Sequence, residues 1–238
     1  MTSTMTTLEY PAGDAVCRGE YYTPANAEGP LPIVMVCHAW DGLNDEVRDK
    51  SRKLAAAGYI AFAIDVHGGG KVITDIAELM PTLSPYLESR ALLLARMQGA
   101  FGAARTIPGA DVSRIGAMGY CFGGMAVLDL ARSGVDIKGV VSFHGSLDGN
   151  TLANPRALDT KILVLHGEDD PLVPPDSVAS FKTEMNAKKA DWQLHAYSHT
   201  VHAFTRPDAN DPAFGAVYNA TADRRSWQSM LNFFDEVL

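Results

Sequence analysis

The sequence contains few cysteines. Its 238 residues include three, Cys17, Cys37 and Cys121, an odd number at wide and unequal spacing. A disulfide framework normally needs an even number of cysteines at closer spacing, so this pattern argues against one. No CxxC pair is present, and a cysteine-based zinc site is therefore not indicated. The cysteine content favours a reducing compartment, and we expect a cytoplasmic protein.

Long apolar runs are also missing. No stretch approaches the ~18 consecutive apolar residues that a membrane helix needs. Residues 1–7 are polar and contain no basic patch that leads into an apolar run, so we expect no signal peptide. The sequence therefore predicts no association with a membrane.

Positive charge is not in excess. The chain has 20 Lys and Arg against 28 Asp and Glu, a formal net charge of −8, and its basic residues do not cluster. An acidic field repels nucleic-acid phosphates and anionic lipid surfaces. We therefore expect a small-molecule partner and no nucleic acid. No motif indicates a metal or a cofactor, and a monomer and a homodimer both remain open.

Alternating strands and helices fill most of the chain. Apolar runs predict strands at 33–37, 59–64, 114–118, 139–143, 161–166 and 192–197. Helical spacing or turn residues predict helices at 45–57, 84–105, 123–133, 177–188 and 224–237. This order is typical of a mostly parallel central sheet with helices on both faces. We expect one domain over residues 1–238 with no large lid domain, one or two edge strands at its start, and a glycine-containing loop at 66–81.

The motif Gly-Tyr-Cys-Phe-Gly-Gly at residues 119–124 lies between a predicted strand and a predicted helix. It matches the nucleophile elbow Gly-x-nucleophile-x-Gly, with cysteine where serine is commoner. The turn is so tight that side chains two positions on either side of the nucleophile would collide. The positive end of the following helix points at Cys121 and favours a thiolate. Cys121 is therefore the candidate nucleophile, and the alternative is a small buried apolar residue in a glycine-rich loop.

Two other strand ends carry candidate partners for Cys121. The segment Gly-Glu-Asp-Asp-Pro at 167–171 offers a carboxylate, for which Asp170 is favoured over Asp169 because it precedes proline. The segment at 198–204 offers His202 or His199, and His202 is favoured because a small residue and an aromatic follow it. The order nucleophile, acid, histidine is that of α/β-hydrolases.

Three further histidines, His38, His144 and His166, each end an apolar strand. No HxxxH helix or carboxylate companion accompanies them, so a metal site is not supported. We expect these three histidines to be core residues or residues that support the site.

Nearly the whole chain, from Pro32 to the last helix, resembles the dienelactone hydrolase family, the cysteine-using branch of the α/β-hydrolases. The motifs that carry the resemblance are GYCFGG around Cys121, GEDDPLVP around Asp170 and HAFTR from His202 to Arg206. The resemblance implies an α/β-hydrolase fold and a hydrolase that cleaves an ester or a lactone through an acyl-thioester. It assigns Cys121 as nucleophile, His202 as base and Asp170 as the orienting carboxylate.

The resemblance also implies two oxyanion donors and a substrate cation. The donors are the backbone N–H groups of Phe122 and Trp40, and the cation is Arg206, just past the histidine, which would bind a substrate carboxylate.

The chain departs from the family pattern at two places. Ala39 stands where well-known members carry a glutamate that holds the resting cysteine, and neighbouring Asp41 is the nearest acidic residue. A second family arginine has no clear counterpart. Arg90 and Arg96 lie in a predicted helix, where arginine is typical of a solvated face.

Two other classes of function stay open at this point. The α/β-hydrolase scaffold also hosts non-catalytic ligand-binding proteins. A thiol redox protein would use Cys121 together with a second cysteine, for which Cys37 at another strand end is the candidate.

Overall fold

A computed structural model of the protein describes residues 3–25, 27–149 and 157–238. Its strands are β1 Ser3–Ala12, β2 Ala15–Pro24, β3 Leu31–Cys37, β4 Ile60–Ile64, β5 Ala110–Tyr120, β6 Gly139–Phe143, β7 Lys161–Gly167, β8 Trp192–Tyr197, β9 Asn210–Asp211 and β10 Ala216–Val217. Its α-helices are α1 Asp45–Ala56, α2 Leu79–Glu88, α3 Arg90–Ala104, α4 Phe122–Arg132, α5 Pro175–Ala187 and α6 Ala220–Val237.

Eight of the strands form one sheet in the order β1-β2-β4-β3-β5-β6-β7-β8. The first two strands form an antiparallel hairpin, and β2 pairs antiparallel with β4. The pairs β3–β4, β6–β7 and β7–β8 are parallel. The predicted mostly parallel α/β sheet is confirmed, and the described residues contain no additional large domain.

The chain divides into two compact units, residues 1–117 and 118–238. In the first unit, α1 packs against β3 and β4, and α3 packs against β1 and β3. In the second unit, α4 packs against β6, and α6 packs against β6 and β7. Strands β3, β4, β6 and β7 are almost entirely buried, as their continuous apolar runs predict. One domain over residues 1–238 stays a prediction.

The predicted helix at 84–105 is wrong, because this stretch contains two helices. The first, α2, begins earlier than predicted and ends at Glu88, and α3 starts at Arg90. Between them, the Ser89 side chain accepts a hydrogen bond from the N–H of Leu92 (3.3 Å) and caps α3. The helical spacing of apolar residues continues across this break, so periodicity alone did not reveal it.

The segment predicted as a loop at 66–81 contains a 3₁₀ turn at Ile76–Glu78 and the start of α2. Its first part is held by Asp65, whose carboxylate accepts hydrogen bonds from the N–H groups of Arg18, Gly68 and Gly70 at 2.7–2.9 Å. The glycine-containing part is therefore tied to β2 and β4.

The expectation of a solvated face for Arg96 is wrong. Its side chain is buried, donates to the carbonyl of Ala12 and forms an ion pair with Asp14 at 3.0 Å. None of the helices in the described part of the chain has both the length and the apolar character needed to cross a bilayer.

Candidate active site

Cys121 lies in a strained turn between β5 and α4. Its φ is 51° and its ψ is −113°, a backbone conformation that non-glycine residues rarely adopt. The N–H of Cys121 donates to the carbonyl of Phe143 (3.0 Å), and its own carbonyl accepts from the N–H of Met125 (3.1 Å). The turn is therefore fixed on one side by β6 and on the other by the first turn of α4.

Gly119 shows why the elbow requires glycine. A Cβ added at this position would lie 2.2 Å from the carbonyl oxygen of Gly123. No side chain can occupy that space, so the predicted reason for the glycines on either side of the nucleophile is confirmed at Gly119.

Asp170 and His202 form the acid–imidazole pair of the site. The Nδ1 atom of His202 lies 2.8 Å from Oδ2 of Asp170, and both side chains are buried. The other carboxylate oxygen of Asp170 accepts from the N–H of Leu172 at 2.9 Å. This second bond fixes the carboxylate. Because an ionised carboxylate can only accept, Nδ1 of His202 is the donor of the bond to Asp170, and Nε2 points away from the pair.

Electrostatics favour a protonated His202. Burial alone would lower the pKa of this imidazole, but the hydrogen bond to Asp170 and the interaction with Cys121 outweigh it and raise the pKa to about 10. This effect on the pKa indicates that the Cys121 side chain lies near the His202 imidazole. At neutral pH this environment favours an imidazolium at His202.

The alternatives Asp169 and His199 are both exposed. The N–H of Asp169 donates to the carbonyl of Thr200, so this residue connects the two loops through its backbone. Burial and the short Nδ1–Oδ2 distance favour Asp170 and His202 over these neighbours.

The two predicted oxyanion donors lie in different units. Phe122 is the first residue of α4, where N–H groups point out of the N-terminal end of the helix. Trp40 follows β3 in the first unit, and its carbonyl lies 2.9 Å from Nε2 of His67. The role of Trp40 in the oxyanion hole stays a prediction.

Arg206 is partly exposed and paired with an acidic neighbour. Its Nε donates to Oδ1 of Asp208 at 2.8 Å. A substrate carboxylate that binds Arg206 would therefore compete with Asp208, which the sequence analysis did not anticipate.

Two residues considered from the sequence have other contacts. Asp41 is buried and accepts a hydrogen bond from Nδ2 of Asn44 (2.7 Å), so its carboxylate helps to fix the start of α1. Cys37 is fully buried, its sulfur lies 3.9 Å from that of Met97, and burial raises the pKa of its thiol. A buried thiol of this kind is a poor redox partner. All three cysteines are free.

The structure adds a hairpin that sequence reasoning missed. Strands β9 and β10 pair with each other, and the backbone of His202 bonds to this hairpin on both sides. The N–H of His202 donates to the carbonyl of Gly215 (2.9 Å), and its carbonyl accepts from Val217 (3.1 Å). Turn residues such as Pro212 and Gly215 were the available signal, but each strand is only two residues long.

The histidines at the other strand ends are buried, as predicted. His38, His144 and His166 are each 4% exposed or less. Burial is the main cause that lowers the pKa of His166, and it likewise lowers the pKa of His38. Among the described residues, no group of three or more His, Cys, Asp or Glu side chains is arranged to hold a metal ion.

Comparisons with known proteins show the family to which the chain belongs. A dienelactone hydrolase-like promiscuous phosphotriesterase from metagenomic libraries is 36% identical, with a TM-score of 0.91 over 100% of this chain and 99% of that one. An Escherichia coli protein named "Putative carboxymethylenebutenolidase" is 29% identical over 90% of this chain and 80% of its own length. The dienelactone hydrolase from Anabaena variabilis ATCC 29413, at 19% identity and a TM-score of 0.70 over the full length of both chains, shares the fold.

The family model for the dienelactone hydrolase family matches residues 17–238, which include every residue of the candidate site. This chain belongs to the dienelactone hydrolase family.

Proposed function

We propose that this ester or lactone hydrolase works through a thiolate at Cys121, with His202 as the acid and base and Asp170 as its orienting partner. The observation that carries the proposal is the buried 2.8 Å pair of Asp170 and His202, whose imidazole interacts with a cysteine held at a strained elbow. Nucleophilic catalysis of this kind requires an imidazole that lies beside the nucleophile and is oriented by a carboxylate.

Acylation begins with the Cys121 thiolate and the His202 imidazolium. The thiolate attacks the carbonyl carbon, and the carbonyl oxygen takes up the negative charge. The backbone N–H groups of Phe122 and Trp40 are the predicted oxyanion donors. The tetrahedral intermediate then collapses, the bond to the leaving oxygen breaks, and that oxygen takes the proton of His202. An acyl-thioester at Cys121 remains.

Deacylation needs His202 to act as a base. Once Cys121 is acylated, its sulfur carries no charge and no longer raises the pKa of His202, and the imidazole is neutral because it has given its proton to the leaving oxygen. The neutral imidazole can then accept a proton from water while the hydroxide attacks the thioester. Release of the acid restores the thiolate and the imidazolium. Activated esters and enol lactones suit this cycle, because a stabilised enolate or phenolate leaves more readily than an alkoxide.

The first test is the mass of the intact protein after brief mixing with p-nitrophenyl acetate, while released nitrophenolate is followed. We expect an acetyl adduct that maps to Cys121 and turns over. Cys121→Ala should form no adduct and release no nitrophenolate above background. Cys17→Ala is the matched control, because Cys17 is buried and burial is the main cause that raises the pKa of its thiol to about 11.

Three results would contradict parts of this proposal. Full turnover in Cys121→Ala would show that Cys121 is not the nucleophile. An adduct at Cys121 that accumulates without release would contradict the deacylation step. Tight, saturable binding of esters and lactones without turnover across a panel would support a ligand-binding protein instead.

A second candidate reaction is the hydrolysis of neutral phosphotriesters. The observation that favours it is the 36% identity over the whole chain to a promiscuous phosphotriesterase. Attack of the Cys121 thiolate on phosphorus would expel a phenolate and leave a phosphorylated sulfur, which water must then release. Diethyl p-nitrophenyl phosphate should give nitrophenolate in the wild type and none above background in Cys121→Ala. Absence of release from the wild type would exclude this reaction for that substrate.

A further inference from the structure

We propose that His144 is a positioning residue that fixes the plane of the His202 imidazole, and that Thr205 holds His144 in place. The proposal rests on the proposed role of His202 as acid and base. It assigns a function to a buried polar pair that the catalytic steps above do not use.

The ring of His144 packs directly against the ring of His202. The two ring centroids are 5.0 Å apart, and the ring planes are inclined at 67°. His144 also contacts Phe204 edge-on, at 5.1 Å and 79°. His144 therefore contacts both the imidazole of His202 and a fully buried aromatic ring, and these close-packed contacts restrict its movement.

A hydrogen bond and the ring contacts together restrain the His144 ring. Its Nε2 atom lies 2.9 Å from Oγ1 of Thr205, and both side chains are buried. Thr205 is three residues after His202 in the same turn. The segment that carries His202 therefore also carries the Thr205 hydroxyl, which restrains the His144 ring that packs against His202.

The backbone at His144 connects this arrangement to the nucleophile. His144 directly follows Phe143, whose carbonyl accepts the N–H of Cys121 at 3.0 Å. His144 itself has a φ of 40°, a conformation that costs free energy for a non-glycine residue and is retained where the surroundings impose it. Residues 143–144 therefore make two contacts: the carbonyl of Phe143 bonds to the N–H of Cys121, and the side chain of His144 packs against His202.

His202 needs such a contact because its bond to Asp170 does not define the ring plane by itself. A single hydrogen bond at Nδ1 restrains one atom, and the imidazole can still tilt about that contact. Tilting moves Nε2, the atom that must exchange a proton with the leaving oxygen and with water. A displacement of about 1 Å at a reacting group can lower a rate by on the order of 10²-fold.

The test compares Thr205→Val with Thr205→Ser in steady-state and single-turnover kinetics on p-nitrophenyl acetate. Valine has nearly the shape of threonine but lacks the hydroxyl, and serine keeps the hydroxyl. We expect Thr205→Val to lower kcat by about 10- to 100-fold with KM nearly unchanged, because the bond acts on proton transfer and not on substrate binding. Thr205→Ser should recover most of the lost rate.

A double-mutant cycle with His144→Phe separates positioning from general destabilisation. Phenylalanine keeps an aromatic ring at this place but cannot bond to Thr205. If Thr205 acts through His144, Thr205→Val should cause no further loss of kcat in the His144→Phe background. Ser226→Ala is the matched control, since it removes a buried hydroxyl that bonds to the carbonyl of Asp223 on α6 and should leave kcat unchanged.

The outcomes of these two proposals can be distinguished. Wild-type kcat in Thr205→Val, or additive losses in the double mutant, would overturn the role of His144 while leaving the triad intact. Full activity in His202→Gln, measured in the same assay, would overturn the role of His202 and with it the basis of this inference. A fall in kcat of Ser226→Ala equal to that of Thr205→Val would show that the loss reflects stability alone.

Discussion

Asp169 and Asp170 are adjacent acidic residues with different surroundings. Asp170 is buried, and its two oxygens are engaged by His202 and by the N–H of Leu172. Asp169 is exposed and contributes a backbone bond. The two residues have the same side chain, so it is the difference in burial that favours Asp170 as the carboxylate that orients an imidazole.

Asp170→Asn should lower kcat by on the order of 10²–10⁴-fold, because an amide can donate to Nδ1 and stabilise the wrong tautomer of His202. Asp169→Asn should stay close to the wild type. Initial rates on an activated ester, with circular dichroism as a check of folding, would measure both variants. A larger loss in Asp169→Asn would assign the orienting role to the other carboxylate.

Arg206 leads to a prediction about substrate charge. Because Asp208 pairs with its guanidinium at 2.8 Å, a substrate carboxylate must displace that aspartate or share the arginine with it. Asp208→Asn should therefore lower KM for anionic esters by a few fold, and Arg206→Ala should raise it. Neutral esters of the same leaving group are the control, and their KM should change little. Equal effects on both substrate classes would refute the proposed carboxylate contact.

At the scale of elements, the same substitution, glycine to alanine, is expected to have opposite effects in the elbow and in a helix. Gly119→Ala would place its Cβ 2.2 Å from the carbonyl oxygen of Gly123, where backbone would have to move. Gly102, on the exposed face of α3, has no atom within 4 Å of an added Cβ.

Gly119→Ala should therefore lose activity and stability, whereas Gly102→Ala should keep activity and gain up to about 1 kcal/mol from the higher helix propensity of alanine. Urea unfolding and ester hydrolysis would measure both effects. Wild-type activity in Gly119→Ala would mean that the elbow can relax, and that strain at Cys121 is not essential.

The elements show why some of the fold could be read from the sequence. Strands buried on both faces have continuous apolar runs, so 33–37 and 139–143 were located within a residue or two of β3 and β6. The break between α2 and α3 was not predicted, because its local signal is one capping hydroxyl, that of Ser89, and the apolar spacing continues across it. The β9–β10 hairpin escaped because strands of two residues have no periodicity to detect.

The site was predictable to the extent that it depends on local turns. Cys121, Asp170 and His202 each follow a strand, and their motifs make them candidates without tertiary information. The packing of His144 on His202 and the pairing of Arg206 with Asp208 depend on side-chain orientation, which residue spacing does not specify.

For the whole molecule, two histidines make the free energy of unfolding depend on pH, and their effects have opposite signs. In the first unit, burial is the main cause that lowers the pKa of His67 to about 4, and its neighbour His38 adds to the shift. In the second unit, the pKa of His202 is raised to about 10, because Asp170 and Cys121 outweigh burial. An unfolded histidine titrates near about 6.5.

The sign for His202 follows from proton binding. Between about pH 6.5 and 10 the folded state holds a proton on His202 that the unfolded state has released, so the free energy of unfolding falls as pH rises. The contribution is complete below about pH 6.5 and lost above about pH 10. We expect the stability of Cys121→Ala relative to Cys121→Ala/His202→Gln to decline as pH rises above about 6.5 in urea unfolding, because Asp170 still raises the pKa of His202 and no thiol exchanges a proton with it. A constant difference between these two variants would show that His202 is not protonated in the folded protein.

His67 acts in the opposite direction and at lower pH. Between about pH 4 and 6.5 the unfolded chain binds a proton at His67 that the folded protein excludes, so the free energy of unfolding falls as pH decreases. His67→Gln should lose less stability than the wild type between pH 6.5 and 4, since glutamine does not titrate and can still donate to the carbonyl of Trp40. Carboxylates titrate in both proteins, so the difference between their unfolding free energies isolates the histidine. If that difference does not change with pH, His67 titrates alike in the folded and unfolded states, and the acid sensitivity of the molecule must come from other groups.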